Sequence, residues 1–134
     1  MSILDEHIFG DLNKIHSLDE LADSLKNLLN SGCYVWDDEL INSKQLVDRI
    51  KNLKIEIYLD EHSPPHFHVK SANINASFVI SDCERLNGDI NRRDEELIKY
   101  WYRKFRLRLI KVWNNMRPSD CPVGQISDVF GSEV

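Results

Sequence analysis

Between residues 91 and 117 the side chains Ile98, Trp101, Phe105, Leu109, Val112 and Met116 recur at steps of three and four. That period draws one apolar stripe down about five turns of α-helix. A helix of this length needs a broad apolar surface to lie on, so the rest of the chain must supply one. Its ends are marked. Asn91 suits an N-cap, Asp94, Glu95 and Glu96 suit the positive end of the helix dipole, and Pro118 stops the run.

The preceding forty residues can build that surface. Leu53-Lys-Ile-Glu-Ile-Tyr-Leu59 alternates strictly, aiming Leu53, Ile55, Ile57 and Leu59 to one side. Residues 66–71 alternate again: Phe67 and Val69 take the core face, and His66, His68 and Lys70 share the other. Ile74–Ile80 reads as a third strand, Asn87-Gly88 as a turn, and Leu86–Ile90 as a short fourth strand. Short connections imply an antiparallel meander. The expected fold is therefore α+β: a small antiparallel sheet of three to four strands, packed by one long C-terminal helix and preceded by an N-terminal helical extension.

The extension covers residues 1–52, the α+β domain residues 53–117, and a loosely docked tail residues 118–134. Residues 1–16 read as a mixed lead-in. Ser17-Leu-Asp-Glu20 is a capping box, followed by Leu18, Leu21, Leu25, Leu28 and Leu29 at helical spacing and stopped at Asn30-Ser31-Gly32. Cys33–Trp36 is a short strand or a packed loop, with Trp36 as a core anchor. A second helix is expected from about Ser43, with Leu46, Val47 and Ile50 on one side.

Composition narrows the partners. Residues 1–50 carry ten acidic and four basic side chains, whereas residues 97–117 hold seven basic ones and no acidic one. A basic surface can thus exist on a chain whose net charge is −5. Plotted at about 100° per residue, Lys99, Arg103 and Arg106 lie on one flank of the stripe, and Lys104, Arg108 and Lys111 on the other. Tyr100, Leu107 and Ile110 lie between them, away from the core. Such a face suits nucleic acid or a cognate protein partner, with Arg103, Lys104 and Lys111 as contacts. Without a membrane-length apolar run or a secretory pattern, the expected compartment is the cytoplasm. Cys33, Cys83 and Cys121 are widely spaced and read as reduced thiols.

Chemistry concentrates in Glu61-His-Ser-Pro-Pro-His-Phe-His68, which holds three of the five histidines. Pro64 and Pro65 fix φ and remove two backbone donors, so the imidazoles stand on a stiff connection. Glu61, His62, Pro64, Pro65, His66, Phe67, His68 and Val69 resemble the Asp-His-x-Pro-Pro-His-Phe-His-Val motif of a small prokaryotic family of unknown function. Glu61 stands where that family has Asp. Ala76 and the tryptophans Trp101 and Trp113 of the last helix continue the likeness across residues 53 to about 116. The resemblance implies a component of a toxin–antitoxin-like gene pair or defence module and brings no activity with it. His-Phe-His-Val also resembles the opening of the histidine-triad nucleotide hydrolase motif. Lys70 stands where its third histidine belongs, which excludes membership.

Three readings of the motif follow. His66 and His68 on one strand face place their Cα atoms about 6.5–7 Å apart. With His62 they can hold a divalent ion such as zinc, leaving one position for water. Glu61 or Asp60 then serves as general base or outer-shell partner. Without metal, His66 or His68 can act as general acid or base, with Lys70 or Arg85 binding phosphate; a hydrolase of a phosphodiester or nucleotide results. In the non-enzymatic reading the loop is a latch, its imidazoles bonded to backbone carbonyls, within an adaptor or antitoxin-like binder.

Overall fold

The computed structural model describes residues 3–43, 49–57, 64–116 and 126. The elements run α1 (Ile3–Phe9), a 3₁₀ turn (Leu12–Lys14), α2 (Leu18–Leu29), β1 (Cys33–Trp36), β2 (Glu39–Asn42), β3 (Lys54–Glu56), β4 (His66–Lys70), β5 (Asn75–Val79), β6 (Arg85–Asp89) and α3 (Arg92–Asn115). β3-β4-β5-β6 form one antiparallel meander, and β1-β2 a separate hairpin. The α+β architecture with a long C-terminal helix is as expected.

α3 starts where its cap residue places it: the Asn91 side chain accepts from the amide of Asp94 at 2.8 Å. Ile98, Trp101, Phe105 and Leu109 are fully buried against the meander. The Trp101 ring lies 6.1 Å from Phe67 and 5.7 Å from Phe105, and Phe67 stacks on Phe78 at 5.6 Å. Trp101 Nε1 donates to Ser24 Oγ of α2 at 2.8 Å, which ties the N-terminal helices to the same core. The capping box of α2 is formed as expected, with Glu20 N donating to Ser17 Oγ at 3.1 Å and Ser17 N to Glu20 Oε1 at 3.0 Å. The Glu20 carboxyl is held below its usual value, first by the Ser17 amide and then by that of His16.

Several expectations are corrected. The lead-in is structured, because α1 buries Asp5 and Phe9. Tyr100 Oη donates to Asp5 at 2.7 Å, Lys104 Nζ lies 3.0 Å from it, and Phe9 meets Phe105 edge-on at 5.5 Å. Tyr100 and Ile110 are therefore buried, and of the three expected outward residues only Leu107 is exposed. The stripe reading assumed one packing layer; α2 and β1 add a second.

Cys33–Trp36 pairs with Glu39–Asn42 through a two-residue turn whose Asp37 and Asp38 both have positive φ, 52° and 62°. That backbone is normally taken by Asn-Gly or Asp-Gly, so Asp-Asp gives no strong hairpin signal. Trp36 is 71% exposed and is no core anchor. The second helix expected from about Ser43 falls largely on residues 44–48, outside the described residues; Ser43 itself extends the hairpin, its amide donating to Gly32 O at 3.3 Å. Leu46 and Val47 lie outside the described residues, and Ile50 is buried without helical structure.

The first meander strand spans Lys54–Glu56, with Leu53, Ile55 and Ile57 buried as expected; Leu59 lies outside the described residues. Asn87-Gly88 is not a turn. Both residues belong to β6, and Gly88 sits opposite Ala76 with φ +94°. A Cβ on Gly88 would meet Asn75 O at 2.1 Å and the Ala76 Cα at 2.7 Å. The chain turns earlier, where Cys83 N donates to Val79 O and Val79 N to Glu84 O, both at 2.8 Å. Of the tail, only Ile126 is described; it exchanges hydrogen bonds of 2.7 and 2.8 Å with the Asn114 side chain.

Candidate functional site

Strand alternation sorts β4 cleanly. Phe67 and Val69 have no exposed surface, and His66, His68 and Lys70 are half-buried on the opposite face. Register brings cross-strand neighbours to that face. Glu56 of β3 and Ser77 of β5 lie on either side of His68, Val79 lies opposite His66, and Asn75 opposite Lys70. α2 and α3 occupy the core side of the sheet, so the histidine face is its other surface.

The Pro-Pro corner is tied down at its exit. Ile80 N donates to Pro65 O at 2.9 Å, extending the β4–β5 ladder by one bond. Proline fits there because it opens the strand and has no ladder donor to lose. His66 Nδ1 lies 2.9 Å from Pro64 O. A carbonyl only accepts, so this Nδ1 carries a proton, and in the neutral ring the lone pair is on Nε2. His68 Nδ1 lies 3.0 Å from Ser77 Oγ. The two imidazole rings meet edge-on, their centroids 5.0 Å apart. Lys70 Nζ lies 3.3 Å from Glu56 Oε1, a diagonal cross-strand pair beside them.

Of the expected site residues the structure therefore brings together His66, His68 and Lys70. Glu61, His62 and Asp60 lie outside the described residues. Among the described residues no group of three or more His, Cys, Asp or Glu is placed to hold a metal ion. The described part of a three-histidine set is the His66–His68 pair, each ring with its Nδ1 engaged by the protein.

The basic face of α3 is less uniform than its sequence. Lys104 pairs with the buried Asp5 and lies 4.9 Å over the Tyr100 ring. Arg106 Nε donates to Ser81 O at 3.1 Å and to Tyr102 Oη at 3.0 Å. Both cations hold the fold together. Arg103 makes an exposed pair with Asp38 at 3.4 Å, and Lys111 is exposed. Arg85, the other expected phosphate ligand, pairs with Glu95 at 3.4 Å and donates to Gly88 O at 2.9 Å. A cavity of about 1010 Å³ lies away from the histidines, lined by the exposed Trp36, Asp38, Asp82, Lys99 and Arg103 and by the buried Tyr102.

Two residues of the histidine face escaped the sequence reading, Ser77 and Glu56. Alternation within β5 turns Ser77 away from Phe78. Its place beside His68, however, depends on the register between strands.

The fold and face describe a small α+β domain with a half-buried imidazole pair on the face of its sheet opposite Phe67 and Val69. Residues 52–114, a little under half the chain, match the family described as Domain of unknown function (DUF4160). The matched segment runs from the start of β3 almost to the end of α3 and includes the histidine motif. No curated protein and no solved structure matches the chain. Among the described residues no helix is long and apolar enough to cross a membrane.

Proposed function

We propose that this chain is the hydrolytic component of a toxin–antitoxin-like or defence module, acting on a phosphodiester or nucleotide. The observation that supports this reading is the pair of half-buried imidazoles 5.0 Å apart, outside the core, one of them with its Nδ1 proton held by the Pro64 carbonyl. A fixed ring proton sets which nitrogen can take a proton from a reacting group, and that is the requirement of general acid–base catalysis. Lys70 adds a positive charge on the same face for a phosphate. Should His62 join the pair, the three nitrogens form the ligand set of a zinc hydrolase. Arg103 and Lys111 on α3 are the contacts for a cognate protein or nucleic acid. Cytoplasm is the proposed compartment.

The second reading, a non-enzymatic adaptor or antitoxin-like binder, draws support from the same His66–Pro64 bond, which also braces the Pro-Pro corner as a latch would. Purified protein incubated with linear and cyclic dinucleotides and short RNA decides between them. Cleavage that disappears in His66→Ala and His68→Ala, with both variants folded, is the expected result. No cleavage by wild type, together with stable co-purification with the product of the neighbouring gene, would favour the binder.

A further inference from the structure

We propose that Ser77 is the nucleophile of this site, with His68 as its base, and that cleavage passes through a phosphoserine intermediate. The inference rests on the phosphodiester reading above. Ser77 stands opposite His68 in the β4–β5 ladder, its hydroxyl oxygen 3.0 Å from Nδ1. The residue is 7% exposed, and among the described residues Nδ1 is the hydroxyl's one partner. A buried O–H that donates to nothing loses its hydration uncompensated, whereas an oxygen that merely accepts nothing is tolerated more readily. The hydroxyl therefore donates, and His68 Nδ1 holds the lone pair that receives it. That is the contact of an activated hydroxyl with its base.

The base is itself oriented. His66 packs edge-on against its ring and is anchored to the Pro64 carbonyl, and Pro65 is bonded to Ile80 at the end of the same ladder. Glu56 stands opposite His68 on the other neighbouring strand, bonded to Lys70. Acid, imidazole and hydroxyl thus form one row across β3, β4 and β5.

The step balances within these groups. The Ser77 Oγ–P bond forms as the P–O bond to the leaving alcohol breaks. The hydroxyl proton passes to His68 Nδ1 and on to the leaving oxygen. Water then attacks phosphorus and breaks the phosphoserine bond, its proton returning through the same imidazole to Oγ.

The test is covalent labelling of the full chain with a short-chain fluorophosphonate, a phosphorus electrophile whose fluoride leaves as the Oγ–P bond forms. Peptide mass mapping is expected to place the label on Ser77, and Ser77→Ala to abolish it. His68→Gln retains an acceptor for the hydroxyl while removing the base, and should slow labelling by about a hundredfold. This variant decides the matter even if Ser77→Ala fails to fold. Wild type without label on Ser77, or a labelling rate unchanged by His68→Gln, overturns the proposal. Dinucleotide cleavage that survives Ser77→Ala but not His66→Ala would remove the nucleophile and leave the imidazole reading standing. Absence of both label and cleavage would remove both.

Discussion

Truncating the two imidazoles one at a time should destabilise the protein unequally, in an order set by what each ring leaves behind. His66→Ala breaks the bond to Pro64 O, but Pro64 is exposed, so water replaces the lost donor. With the loss of half-buried ring packing, the cost should be about 1 kcal/mol or less. His68→Ala strands the hydroxyl of Ser77, a residue 7% exposed, with no other partner among the described residues. An unsatisfied buried hydroxyl costs about 1–3 kcal/mol before any loss of packing is added. The difference should be readable in urea unfolding followed by tryptophan fluorescence, since Trp101 and Trp113 are fully buried. With a slope of about 1–3 kcal/mol per molar urea, His68→Ala should lower the midpoint by roughly 1 M and His66→Ala by much less. A His66→Ala loss equal to or larger than that of His68→Ala would refute the reasoning. It would mean that the Pro64 carbonyl is the buried partner and the corner a true latch.

Trp101→Ala should cost about 3–5 kcal/mol by emptying a site between Phe67 and Phe105, read as a fall in the denaturant midpoint; an unchanged midpoint would place the stripe in solvent. Gly88→Ala should destabilise by more than about 1 kcal/mol, because its Cβ would strike Asn75 O and its φ is +94°; thermal unfolding with no loss would show that β6 can shift. Lys104→Glu should cost about 3 kcal/mol or more by setting two carboxylates against each other at buried Asp5, while Lys111→Glu should be neutral in stability and weaken polyanion binding in a salt-dependent assay. Burial pushes the Cys83 thiol up to about 12, against a smaller pull from Lys99, and likewise the Tyr102 phenol up to about 12. Both values are raised by folding, so their stabilisation is full below about pH 9 and is lost as pH rises toward 12. The melting temperature should accordingly fall above pH 9, and iodoacetamide should modify Cys83 only on unfolding.

Much of the fold was legible because its elements carry their own local instructions. A capping box, a helix stripe and two alternating strands are short-range patterns, and each forms within the described part of the run that carries it. Alternation alone also put His66 and His68 on the face opposite Phe67 and Val69. Other features depended on partners distant in the chain. The Asp37-Asp38 turn needed two non-glycine residues at positive φ, which only the pairing of its flanking strands enforces. Tyr100 and Ile110 look outward on a helix with one packing layer and become buried when α1, α2 and β1 supply a second. Lys104 looks like a surface cation until Asp5, nearly a hundred residues away in the chain, is folded beneath it. The site divides in the same way. Its imidazoles could be named from the motif, but Ser77 could not, because a strand's own alternation says which way a hydroxyl points and only the register between strands says what it meets.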